Sequence, residues 1–217
     1  MATVAPARLP AISSLSGLSL AQQTEILDLL FEPSPSIHEL LLPLLRKKGE
    51  FASYDDFITE AHAVFSALRT DSSPTSSDEY PDARAKLHSI LGSHPRLGAK
   101  KVESAQSAAE QAQLQSGDGS ELAALNAEYE KTFPGLRYVV FVNGRPRPVI
   151  MENMRERIAR GDISLEEQEG IQVGRRRASS SVFSLTKIRR LTPFRRQCAT
   201  LHETEPPNSS VSKKSPR

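Results

Sequence analysis

Two short polar groups stand close together in this chain: His94-Pro95-Arg96-Leu97-Gly98 and, a short stretch later, Ser107-Ala-Ala-Glu110-Gln111. An imidazole, a carboxylate, an amide and a hydroxyl brought together can hold a small polar molecule and move a proton on it. Positions three and four apart share one face of a helix, so Ser107, Glu110 and Gln111 point into the same space. Pro95 pushes the residue before it away from helical geometry, which holds His94 on a loop. Taken singly, a His-Pro after the helix-ending Gly92 is a turn, and a Glu-Gln pair in an Ala-rich helix is a solvated face. The combination is more specific than its parts.

The elements that must position these groups read as helices. Ser19-x-x-Gln22 has the form of a capping box before Ile26, Leu27, Leu29 and Leu30, and Ser36-x-x-Glu39 has the same form before the apolar run 40–45. Pro43 inside that run predicts a kink or two short pieces. From Ser53, the residues Phe57, Ile58, Ala61, Val64, Phe65 and Leu68 fall on one broad helical stripe. Residues 70–78 are too polar to pack and read as a surface loop. Further helices are expected over 81–91, 104–115, 120–132 and 148–160, with Gly117-Asp118-Gly119 as a turn between the second and third of these. Tyr138, Val139, Val140, Phe141 and Val142 form the one β-like run, closed by Asn143-Gly144. With no strong partner strand elsewhere, the run reads as an extended buried segment and not as part of a sheet. Ser164-x-x-Glu167 caps a last helix that Val173-Gly174-Arg175-Arg176-Arg177 is expected to interrupt.

With 217 residues, 38% hydrophobic and 25% charged, the chain can build one globular domain with a core and still carry a disordered end. The single cysteine, Cys198, excludes an internal disulfide framework and a cysteine-rich zinc site, and the five histidines have no ligand spacing, so no metal is indicated. No apolar run approaches the roughly 20 residues of a membrane span, and no basic segment leads into an apolar stretch at the N-terminus. The chain is therefore expected to be neither membrane-bound nor secreted. Arg8-Leu9 starts like an N-terminal peroxisomal signal, but Leu15-Ser16 stands where such a signal needs other residues. The C-terminal Lys214-Ser215-Pro216-Arg217 is not a Ser-Lys-Leu address. A cytoplasmic or a peroxisomal location is left open.

From these segments the chain resembles the 2-oxo-4-hydroxy-4-carboxy-5-ureidoimidazoline (OHCU) decarboxylases of uric acid degradation. The likeness rests on the His94 loop, the Ser107-to-Gln111 group, Leu125-Asn126-Ala127-Glu128-Tyr129, Phe133 and the run 138–142, in the family's order and approximate spacing. It covers about residues 20–172, is strongest over 90–160, and resembles the fungal version in its Arg-Tyr-Val-Val-Phe-Val-Asn-Gly-Arg segment. The resemblance implies an all-α fold, a single helical-bundle-like domain with one extended buried segment, and decarboxylation to S-allantoin without a cofactor. It also implies roles: His94 as general acid/base, Glu110 as its acidic partner, and Ser107 and Gln111 as hydrogen-bond partners of the substrate's ureido and ring groups. Pro95 would contact the ring, and the backbone of Tyr138, Val139, Val140, Phe141 and Val142 would offer donors and acceptors. The expected partner is the small-molecule substrate. The family suggests a homodimer, and neither a specific nucleic acid nor a membrane is expected.

The chain's end departs from that pattern. Residues 173–217 carry 11 Lys+Arg against 2 Asp+Glu, leaving 17 against 24 in residues 1–172, so an acidic body precedes a basic tail. The expected division is a flexible N-terminus over 1–18, the decarboxylase-like domain over 19–172 with its last helix incomplete, and a disordered, Ser-rich tail over 173–217. Three readings of that tail stand: translated intron or frame-shifted message, since Gln-Val-Gly is what a splice donor would encode; a regulatory segment with Arg176-Arg177-Ala178-Ser179 as a kinase site; and an arm that binds nucleic acid or anionic lipid by charge. The last lacks interleaved aromatics beyond Phe183 and Phe194. Family members place a carboxylate-binding arginine in the closing helix, and no tail arginine is assigned that role from the sequence. Two alternatives to the decarboxylase follow: an impaired or inactive helical isoform without the closing helix, and a basic-tailed binding or regulatory protein.

Overall fold

The apolar stripe that begins at Ser53 becomes the helix on which much of the domain is assembled. In the computed structural model, which describes residues 8–47, 51–70, 82–99 and 119–187, helix α3 spans Tyr54–Thr70 and buries Phe57, Ile58, Ala61, Phe65 and Leu68. Ser53 starts it by accepting a hydrogen bond on its hydroxyl from the Asp56 amide at 3.1 Å. Before it lie a 3-10 helix (Ile12–Gly17), α1 (Leu20–Leu30) and α2 (Pro35–Lys47). After it come α4 (Ala83–Gly92), α5 (Gly119–Thr132), α6 (Arg147–Arg160) and α7 (Ile163–Lys187). The fold is all-α, with no strand among the described residues.

The capping box at Ser19 and Gln22 is complete, side chain to backbone in both directions. At α2 the start lies two residues earlier than the sequence pattern indicates. Ser34 is the residue before the helix, with its carbonyl accepting from the His38 amide, and Pro35 takes the first helical position. Ser36 instead bonds Ser89 across to α4. Pro43 neither splits α2 nor ends it; one helix passes through. The run 138–142 is extended without being a strand, and Asn143 (φ 42°) and Gly144 (φ 74°) turn it through a tight bend closed by the Arg145 amide on the Val142 carbonyl at 2.9 Å. Two successive positive φ values are what an Asn-Gly pair supplies at low cost.

The largest departure from expectation is α7. Asp162, and not Ser164, caps it, accepting the Leu165 amide on its side chain at 3.0 Å. The helix does not stop at Gln172: it continues unbroken for 25 residues to Lys187. The residues 173–187, expected to begin a disordered tail, thus extend the closing helix. Its inward face carries Gly170, Ile171, Gly174, Arg177, Ala178 and Ser181, spaced three and four apart. Such a stripe is small and polar rather than apolar, and that is why hydrophobic periodicity does not reveal it. A Cβ on Gly170 would stand 2.9 Å from Leu91 Cδ2, so the glycine lets α7 press against α4.

Helix α7 packs on α3, α1 and α4, while α5 pairs with α6. Phe31, just past α1, meets Phe57 and Phe65 edge-on at centroid distances of 6.4 and 5.9 Å, tying α1 to α3. At the end of α4, a Cβ on Gly92 would lie 2.9 Å from the backbone carbonyl of Gly135. Gly92→Ala is expected to destabilise the protein. Better helix propensity returns at most about 1 kcal/mol, whereas forcing two backbones apart costs about 1–3 kcal/mol; urea unfolding measures the balance.

Candidate active site

The site begins where α4 ends. Ser93 closes the helix, and the chain then turns through His94, Pro95, Arg96, Leu97 and Gly98 onto α5. Three contacts hold this loop. Asn126 donates to the Leu97 carbonyl at 2.9 Å and to the Leu122 carbonyl at 2.8 Å, Arg96 grips both oxygens of Glu130 at 2.6 Å, and Leu97 is buried. Gly98 sits at φ 82°, a conformation costly for any residue with a Cβ. These contacts explain what the Leu125-Asn126-Ala127-Glu128-Tyr129 segment does physically, since Asn126 anchors the histidine loop and Tyr129 reaches α7.

So held, His94 is nine-tenths buried and lines a cavity of about 460 Å³. That volume suits a small molecule. Leu29, Leu30, Phe31, Ile37, Phe65, Leu87, Ile90, Leu91 and Ile171 make most of the wall apolar; Asp28, Glu32, Asn143, Arg177 and the serines 180, 181 and 184 add polar groups. Arg177 lies in the stretch expected to begin a disordered tail, where no arginine is given a substrate role from the sequence, yet its guanidinium lines the cavity. One terminal nitrogen lies 2.9 Å from His94 Nδ1, and the other donates to Glu32 Oε1 at 2.9 Å. All three residues are buried. Burial, and then the positive charge of Arg177, push the His94 pKa down to about 3. His94 is therefore neutral around pH 7, for a reason opposite to the near-neutral titration expected of a free imidazole. Sequence reading missed both Arg177 and Glu32. The available signals were the position of Arg177 on the Gly170-Gly174 face and an acidic side chain directly after the apolar end of α1.

A second set of charges supports the extended run. Arg157 on α6 donates to the Val139 carbonyl at 3.0 Å and sits 4.8 Å from the centre of the Tyr138 ring. Arg145 donates to the Phe141 carbonyl at 2.5 Å. Arg157 is held in turn by Glu166 of α7, which it meets at 2.8 Å through Nε and again, more closely, through Nη2. Glu166 also accepts from Tyr129 and from Arg160, each at 2.6 Å. Burial raises the Glu166 pKa, but the hydrogen bonds from Arg157 and Tyr129, the Arg157 charge and the Arg160 bond together outweigh it and hold the carboxyl below its ordinary range. On the other side of α7, Glu167 bonds His88 and Arg84 of α4 at 2.7 Å each.

Of the residues proposed from sequence, His94 and Phe141 line the large cavity, and Val140 and Phe141 line a smaller one of about 320 Å³ that also includes Arg145, Arg157 and Arg176. Tyr138, Val139 and Val142 are buried, and Tyr138 turns its hydroxyl to the Ile150 carbonyl and to Asn153. The carbonyls of Val139, Phe141 and Val142 are already taken by Arg157 and Arg145. Pro95 is half-buried and does not line the large cavity. Ser107, Glu110 and Gln111, with the helix expected over 104–115, lie outside the described residues.

A helical domain with a largely apolar cavity, a neutral buried imidazole and a guanidinium bonded to it defines a small-molecule site. The comparison with protein families gives that class its name: a family model described as OHCU decarboxylase matches residues 16–176. The chain belongs to the OHCU decarboxylase family, which places it among the carboxy-lyases of purine and uric acid degradation. No curated protein matches the chain. The family match ends at Arg176, one residue before Arg177. No helix among the described residues is long and apolar enough to cross a membrane.

Proposed function

We propose that this chain catalyses the cofactor-independent decarboxylation of 2-oxo-4-hydroxy-4-carboxy-5-ureidoimidazoline to S-allantoin. The observation that carries the reading is the pairing of His94 with Arg177 on the wall of a cavity sized for such a molecule. In the reaction, the bond between the ring carbon and the carboxyl carbon breaks and CO2 leaves. The electron pair stays on the ring carbon, spread into the electron-poor imidazoline as an enolate-like species, and a proton then adds to that carbon. A site for this chemistry needs to attract a carboxylate, stabilise developing negative charge on the ring and control which face receives the proton.

Each requirement has a candidate. Arg177 places positive charge at the cavity wall to attract the carboxylate, the role that the family resemblance gives to an arginine of the closing helix. The apolar wall around it disfavours a localised charge and favours the delocalised one. His94, to which the resemblance gives the acid/base role, presents a neutral imidazole to the oxygen on which charge develops. Glu110, Ser107 and Gln111 keep the roles that the resemblance implies, as acidic partner and as substrate hydrogen-bond partners. The alternative in which the chain lacks its closing helix loses its basis, because α7 runs past Gln172 and carries Arg177 to the cavity.

The test is the rate of CO2 release from freshly generated OHCU with and without the purified full-length protein. Release faster than the spontaneous decay, and proportional to protein concentration, is expected; a folded protein that leaves the spontaneous rate unchanged would refute the proposal.

A further inference from the structure

We infer that Glu32 and Arg177 act together as positioning residues that lock His94 in the tautomer with its proton on Nε2, so that it meets the ligand as a neutral hydrogen-bond donor. The consequence for catalysis rests on the decarboxylase reading; the tautomer itself does not.

A guanidinium has five N–H donors and no acceptor. The Arg177 nitrogen 2.9 Å from His94 Nδ1 must therefore donate, and Nδ1 must present its lone pair. A neutral imidazole carries one proton, which leaves it on Nε2. Protonating Nδ1 would set two donors and two positive charges face to face inside a buried site. Glu32 decides where the guanidinium sits. Its carboxylate, just beyond α1, takes the other terminal nitrogen at 2.9 Å, and a planar fork fixed at one prong has its second prong aimed. Among the described residues the charged groups that line the same cavity are Asp28, Glu32 and Arg177, so the carboxylate of Glu32 also balances the cation beside the ring.

A histidine that served only the core would have both ring nitrogens bonded. Here Nδ1 is taken and Nε2 has no hydrogen-bond partner among the described residues, although the residue is nine-tenths buried and faces the cavity. That N–H, without a partner among the described residues, is thus placed for an oxygen of a bound molecule. In the decarboxylation it would stabilise the oxygen on which negative charge accumulates. A ring in this tautomer cannot begin the reaction by taking a proton at Nε2, so any initial proton acceptor is another group.

Two-bond 1H–15N correlation spectra of the ligand-free, 15N-labelled full chain test this directly, with the His94 signals assigned by their loss in His94→Ala. The expected spectrum has a protonated Nε2 and an unprotonated Nδ1, unchanged between about pH 5 and 8. In Glu32→Gln and in Arg177→Met, the signals are expected to shift toward a mixture of tautomers. In Arg177→Met, His94 is also expected to titrate at higher pH. A wild-type His94 with its proton on Nδ1, or one that becomes an imidazolium in that interval, would overturn the inference even if neither variant folded. Variant spectra identical to the wild type would remove the role of the pair. The expected spectrum from a protein that leaves OHCU untouched would uphold the tautomer lock and sink the decarboxylase reading instead.

Discussion

Replacing His94 by alanine is expected to lower kcat for OHCU decarboxylation by about 10²–10³-fold, the range lost when a positioned hydrogen-bond donor to developing negative charge is removed. The residue lines the cavity, and its loop is held by the Asn126 and Arg96 contacts independently of the imidazole. Far-UV circular dichroism should therefore remain that of the wild type. The substitution also leaves the Arg177 nitrogen without the acceptor it had, so a rise in KM through a displaced guanidinium is expected alongside the fall in kcat. A wild-type rate in the folded variant would remove His94 from the chemistry.

The second large effect is expected on stability. Glu166→Ala takes away the carboxylate that holds Arg157, Arg160 and Tyr129, and Arg157 is only 4% exposed. Removing one partner of a buried ion pair costs about 3–5 kcal/mol. Because Glu169 stays 3.3 Å from Arg157 and 2.7 Å from Arg160, the loss is expected at the lower end of that range, still a large share of a typical domain's roughly 5–15 kcal/mol. Urea unfolding followed by circular dichroism measures it, and a loss no larger than that of a surface substitution would show that the network is not structural. The pair also fixes a direction with pH. Because the folded-state pKa of Glu166 is depressed, its contribution to stability is complete above the unfolded carboxyl value of about 4.3 and is lost as the pH falls through the folded value. Glu166→Gln should lack that component of the acid sensitivity. Since Arg157 also binds the Val139 carbonyl, loosening it is expected to disturb the extended segment that borders both cavities.

Much of the fold is legible in the sequence because its signals are local. The Ser19 and Gln22 box, the α3 stripe, the proline start of α6 and the Asn143-Gly144 turn each depend on a few neighbouring residues, and each is found in the structure. The starts of α2 and α7 each lie two residues before those the patterns indicate. At α7 the Asp162 side chain, just before the Ser-x-x-Glu pattern, captures the helix start, and at α2 Pro35 takes the first helical position with the Ser34 carbonyl accepting the first amide. Helix α7 beyond Gln172 is hidden for a different reason: its buried residues are Val173, Arg177, Ala178 and Ser181, too few of them apolar to mark a hydrophobic period, and the close approach to Leu91 that requires Gly170 is visible only in three dimensions.

The site shows the same division. His94 is identifiable from its loop, but its environment is set by residues 62 positions before it and 83 after it, Glu32 and Arg177. Sequence spacing says nothing about such a meeting. The consequence is chemical as well as geometric, since the histidine expected to titrate near neutrality is kept neutral by burial and by the neighbouring guanidinium.

The optical activity of the allantoin formed from OHCU tests the central claim most directly. Spontaneous decay delivers the proton to either face of the planar intermediate, whereas a cavity walled by His94 and Arg177 on one side admits it from a single direction. The full-length protein is expected to give a circular dichroism signal of S-allantoin that grows faster than the spontaneous reaction. Racemic product, appearing at the spontaneous rate in the presence of folded protein, would contradict the account.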